Sequence, residues 1–176
     1  MKNILGWSRG LLNLSTKWAC VTAAICLMAA LTPAPALAQA RPQARPAVIN
    51  SYNGSGLTLR AYINGLLKQN QLADGVADAP HGNFWDTLSY KEFTTGNVPG
   101  VEDGPSPPYR ILIVGNGANS NLVMALQGKG PLFGNAGAFP QMPANADPPG
   151  KPYFTAAQVE PIIDWINRGC PNPGGT

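Results

Sequence analysis

The stretch FTAAQVEPIIDWINRGCP, residues 154–171, decides how this chain is read. Thr155 and Gln158 have the spacing of a capping box, in which the hydroxyl accepts from a free amide and the Gln side chain reaches back. Val159, Ile162, Ile163 and Ile166 then recur at the intervals of one helix face, with Trp165 beside them. Gly169 supplies the stop. Pro161 lies inside the pattern and has no backbone N–H, so a kink or a late start is expected there. A helix this short draws its stability from packing, so the rest of the chain must cover its apolar face.

Two further helices are predicted upstream. Leu59, Ile63, Leu66 and Leu67 share a face over about residues 57–70. In SNLVMALQG, Ser120 suits an N-cap, Leu122, Val123 and Leu126 supply the apolar side, and Gly128 fits the end. A shorter helix is expected around Trp85–Phe93, and RILIV (110–114) reads as a short strand or a buried extended segment. Eighteen prolines and twenty glycines imply long irregular connections between these elements. The fold class expected is therefore mostly α: a small helical domain with long Pro/Gly-rich loops, over residues 48–171, with 172–176 as a C-terminal tail. That length suffices for one modest core.

The N-terminus reads as a secretory signal over residues 1–38. Lys2, Arg9 and Lys17 precede the apolar run WACVTAAICLMAAL, and TPAPALA ends in small residues, so cleavage is expected after Ala38. The apolar run is too short to span a bilayer, and Pro33 and Pro35 close it. The mature chain is expected to be periplasmic or secreted, with no membrane span, and to begin with a Pro/Gln-rich flexible leader over residues 39–47. Removing the signal changes the charge. The whole chain carries 12 basic and 9 acidic residues, and the three surplus cations are those of the signal. The mature protein is near neutral and lacks the clustered Lys/Arg of a nucleic-acid footprint. Cys20 and Cys26 leave with the signal, which leaves Cys170 alone, read as a small buried hydrophobe.

Several chemistries are excluded by counting. GNGANS (115–120) follows an apolar run, but serine stands where a third glycine would fall, and the acidic residue that would bind a ribose about twenty positions on is missing. The turn reads instead as the lead-in to the Ser120 helix. Blue-copper and His/Cys zinc sites need more ligands than one histidine can supply. No serine lies in a nucleophile-elbow context. No enzymatic activity is expected.

What remains is an order of short motifs. ADAPHGNFW (77–85) holds the only histidine, and it is followed by LSYKEFTTG, ILIVGNGANSNLVMALQG, FPQMPANADPP and finally WINRG. This order resembles the c-type cytochrome domains of exported bacterial proteins, which read C-x-x-C-H-G, an SY-containing segment before a glycine, a PGD-like turn, a Ser-Leu-Leu helix, a conspicuous MP and a terminal W-I-x-x-G. The resemblance covers about residues 77–171, and its MP-to-WINRG tail is the most specific part. It departs from the family at one point: Ala77 and Pro80 stand where both thioether cysteines belong.

The resemblance implies a cytochrome c-like fold and places His81 and Met142 on the two axial positions of a haem iron. Any haem would be held non-covalently, with Phe84, Trp85, Phe139 and Trp165 as apolar walls. The function implied is an electron-transfer or haem-associated module, with a periplasmic redox protein as partner. The alternative is a haem-free accessory or interaction subunit of a periplasmic redox enzyme on the same scaffold. In that case His81 is a turn residue and Met142 fills a gap.

Overall fold

The computed structural model describes residues 46–76, 79–134, 137–146 and 151–175, all within the unit Gln43–Thr176. The expected signal, most of the leader, Ala77 and Asp78 lie outside the described residues. Among the described residues five α-helices follow in order: α1 (Leu59–Gln69), α2 (Phe84–Thr87), α3 (Tyr90–Thr95), α4 (Asn121–Gln127) and α5 (Ala156–Asn167). Among the described residues only isolated β-bridges occur, so the mostly α class holds. No helix among them is long and apolar enough to cross a membrane.

Helix α1 starts two residues later than its apolar pattern suggests, because Thr58 caps it by accepting from the Ala61 amide. The preceding turn is spent on the entering chain: the Asn50 amide donates to the Leu57 carbonyl and the Leu59 amide to the Ser51 carbonyl, each at 2.8 Å. The helix expected over 85–93 is two helices. Ser89 and Glu92 form a complete capping box, and this second start breaks the run after Leu88. RILIV forms no strand and is not buried throughout: Ile111 and Leu112 are buried, but the chain turns at Val114 and leaves Ile113 and Val114 exposed. Val98 N–H donates to Tyr109 and Ile111 N–H to Gly96, which makes a single bridge.

Ser120 occupies the N-cap position of α4, yet its hydroxyl does not cap. It accepts from Ile113 N–H at 2.8 Å and donates to the Asn116 carbonyl at 3.0 Å. At the other end, Lys129 N–H reaches Met124 and Gly128 N–H reaches Ala125, the bond pair of a Schellman motif. In α5 the Thr155–Gln158 box forms as its spacing predicts, the helix starts at Ala156, and it continues past Pro161 to Asn167.

The core is built around α5. Trp165, Ile162, Ile166 and Val159 are fully buried against Tyr52, Phe93, Leu59 and Val123. The two ends of the domain are tied together over it. Arg168 donates to the Ile49 carbonyl at 2.6 Å, Asn172 Oδ1 accepts from the Tyr52 and Asn53 amides at 3.0 and 3.1 Å, and Ser55 N–H donates to Pro173. Residues 172 and 173, expected as tail, are thus bonded into the fold.

Candidate functional site

His81 sits in a turn that follows Pro80, closed by Gly82 N–H donating to the Ala79 carbonyl at 2.9 Å. Gly82 has φ +54 and open space where a Cβ would be, so backbone conformation rather than crowding favours glycine after this histidine. The imidazole is half-buried, edge-on to Phe84 with ring centroids 5.4 Å apart. Its Nδ1 lies 2.8 Å from the Gly82 carbonyl. A carbonyl can only accept, so this contact needs a proton on Nδ1 and leaves Nε2 as the other ring nitrogen.

Met142 is held elsewhere. Its N–H donates to the Ala125 carbonyl at 2.9 Å, and Gln141 Nε2 donates to the Leu126 carbonyl, so this loop is fastened to the end of α4. The Met142 side chain is partly buried against the core. Among the described residues no hydrogen bond or ring contact joins His81 to Met142.

The four rings expected to wall one slot fall into two groups. Phe84, Trp85 and Trp165 belong to a continuous aromatic cluster. Tyr52 stacks on Phe93 at 4.8 Å and on Trp165 at 6.5 Å, Phe93 stacks on Phe84 at 6.0 Å, and Phe84 meets Trp85 edge-on at 5.5 Å. Phe139 packs instead against Tyr109 and Phe133, at 5.5 and 5.9 Å. A macrocycle between two rings holds their planes about 7–8 Å apart, two carbon–carbon contact distances. The stacked rings of the main cluster stand closer than that and already touch one another. The donor chemistry of His81 suits iron, but these walls do not fit a haem between them, because each ring has found another ring as its partner.

The polar groups of this cluster are equally committed. Trp85 Nε1 donates to Asn64 Oδ1 and Trp165 Nε1 to the Pro171 carbonyl. The Tyr52 hydroxyl lies 2.9 Å from both the Trp85 and the Leu88 carbonyls, and burial pushes its pKa up even though Arg60 beside it pulls the other way. The Arg60 guanidinium stands 4.6 Å from the Tyr52 ring centre and donates to the Leu88 carbonyl. This node was not legible in the sequence, where no spacing or motif singles out Arg60. Cys170 is fully buried, and burial pushes its thiol up to about 12, so it stays neutral and is a poor nucleophile.

The GNGANS turn does more than lead into α4: it seats α5. Gly115 N–H donates to Ile166, Asn116 N–H to Ile113, and Gly117 N–H to Asn167 Oδ1 at 2.7 Å. A Cβ on Gly117 would stand 2.7 Å from the Ile163 carbonyl, so glycine is required by close approach. These three amides are thus committed to holding the turn against α5 and within itself. On the outer side of α3, a solvent-open groove of about 570 Å³ runs past Ser89, Lys91, Glu92 and Thr95. The Glu92 carboxylate in it is taken up by the Ser89 cap. No family model, curated protein or solved structure matches this chain.

Proposed function

We propose that this chain is an exported, haem-free accessory or interaction module of a periplasmic redox system, with no catalysis of its own. One observation supports the reading: Tyr52 stacks on Phe93 and Trp165, and Phe93 on Phe84, so these rings take one another as partners and leave no slot between them. In this role His81 shapes the turn before α2, and Met142 closes the loop over the end of α4. Export rests on the N-terminal signal pattern, and the redox setting on the resemblance to c-type cytochrome domains.

A second reading is favoured by Nε2 of His81, the ring nitrogen not bonded to the Gly82 carbonyl. It is an electron-transfer module with haem bound non-covalently between His81 and Met142, and it requires the aromatic cluster to open. The visible spectrum separates the two. Protein purified from its native compartment is expected to be colourless, and added haemin should give no Soret band that depends on His81. A Soret band in the purified protein that is lost in His81→Ala would overturn the haem-free reading.

A further inference from the structure

We propose that residues 171–175 are a strap that opens as a unit while α5 stays folded, uncovering the indole N–H of Trp165 and the amide of Tyr52. The inference goes beyond the haem-free reading and does not depend on it. After α5, Gly169 (φ +82) and Cys170 (φ +57) take two successive left-handed conformations that turn the chain back toward Trp165. Cys170 is anchored there. It is fully buried, its N–H donates to the Trp165 carbonyl at 3.1 Å, and its carbonyl accepts from the Tyr90 hydroxyl. The strap begins after it, and Gly175 N–H donating to the Asn172 carbonyl at 3.2 Å closes it into a turn of its own.

Beneath the strap lies the polar edge of the aromatic cluster. The Pro171 carbonyl accepts from Trp165 Nε1 at 3.0 Å, and Asn172 Oδ1 accepts from the Tyr52 and Asn53 amides. The Pro173 carbonyl accepts from both the amide and the hydroxyl of Ser55, at 3.0 and 3.1 Å. The two backbones are in direct contact: a Cβ on Gly54 would overlap the Pro173 carbonyl and stand 2.6 Å from the Gly175 nitrogen. Nothing apolar adds to these bonds. None of residues 171–175 is buried or belongs to the core cluster, whereas α5 contributes Val159, Ile162, Trp165 and Ile166 to it. Hydrogen bonds at an accessible edge are exchanged for bonds to water at little net cost, and segments with few buried apolar contacts open below the energy of global unfolding. Opening here frees two donors on fully buried rings without dismantling a helix, which makes the strap a gate to the cluster.

Native-state hydrogen exchange of the mature chain, followed by NMR in rising sub-denaturing urea and without added haem, tests this. The Trp165 indole N–H and the Tyr52, Asn53 and Ser55 amides should exchange as one set, at least about tenfold faster than the α5 amides. Their rates should respond weakly to urea, because the opening exposes little surface. Gly54→Ala is a wedge that removes no hydrogen-bonding group. It should strip protection from this set while the α5 amides stay protected. Exchange of the set at the rate and urea slope of α5 would overturn the proposal. So would a Gly54→Ala protein in which the set stays protected, or one in which α5 loses protection with it.

Discussion

The rings around Tyr52 and the rings around Tyr109 are held in different ways. Four of the first group (Phe84, Trp85, Phe93 and Trp165) ride on helices, and Tyr52 is pinned by its own amide and hydroxyl. Tyr52, Phe93 and Trp165 are fully buried, and every polar atom on the two indoles has a partner. Of the second group, only Tyr109 is buried, with its hydroxyl donating to Pro105; Phe133 and Phe139 lie on loops, half-exposed. A bridge between Phe133 and Phe139 and a few backbone bonds set their positions. The difference separates what holds the fold from what finishes its surface. Helix-borne rings meet at fixed angles and exclude water, while loop-borne rings cover what lies beneath.

The sharpest way to break that contrast is to truncate one ring from each group. Trp165→Ala should lower stability by about 3–5 kcal/mol, since it removes a fully buried side chain that packs against the rings of Tyr52 and Phe93. Phe139→Ala should cost less than about 1.5 kcal/mol, because a half-exposed ring forfeits less burial and its loop can settle. Urea denaturation of both variants measures the difference. Equal midpoints would mean that the loop rings belong to the core.

The same division explains what could be read in advance. The α1, α4 and α5 patterns were legible because apolar residues at helical spacing and caps at fixed offsets are local signals: Thr155 with Gln158 needs four residues to be recognised. Tyr52 was invisible by that logic. It lies in an irregular segment, and its partners are Asn172, 120 residues away, and Leu88, 36 away. The GNGANS turn was read as the lead-in to α4, but its task of seating α5 depends on Asn167 and Ile163, which no spacing connects to it. His81 was read as a turn residue only in the haem-free alternative, and it does lie in a turn, where Gly82 takes a left-handed φ. The rings' companions were not legible. Phe84 was grouped with Phe139 because both lie near motif residues, whereas helix geometry turns Phe84 toward Phe93.

Cys170 offers a gentler probe of the helix-borne side. It follows α5 directly, its carbonyl accepts from the Tyr90 hydroxyl at 2.7 Å, and its thiol is raised by burial from 9.0 to about 12. Below pH 9 the thiol is neutral in both folded and unfolded chains and adds no pH dependence. As pH rises from 9 toward 12, the unfolded chain releases a proton that the folded chain retains, so stability falls. Tyr52, Tyr62 and Tyr90 are also raised above 10.0 by burial and pull in the same direction from there upward. The interval between pH 9 and 10 therefore belongs mainly to the thiol. Cys170→Ala should flatten the stability curve across it, as measured by urea midpoints at each pH. A slope unchanged in Cys170→Ala would mean that water reaches the sulfur and that this end of the cluster is not closed.

The smallest effect is expected where a helix that serves the cluster is held only at the surface. Helix α3 delivers Phe93 to the stack, and its start depends on the exposed capping box of Ser89 and Glu92. Hydrogen bonds from the Ser89 hydroxyl and amide hold the Glu92 carboxyl below its ordinary 4.5. Its contribution is therefore present above that value and is lost as pH falls through the lower folded pKa, because the unfolded chain takes up the proton first. Glu92→Gln keeps an acceptor at the same position, and Gln serves a capping box as well as Glu does. The variant should match the parent in stability near neutral pH and lose less on acidification, as read from thermal melts between neutral pH and pH 3. Glu92→Ala should lose the cap at every pH. If Gln and Ala behaved alike at neutral pH, the box would not be holding α3, and the Phe93 stack alone would place that helix.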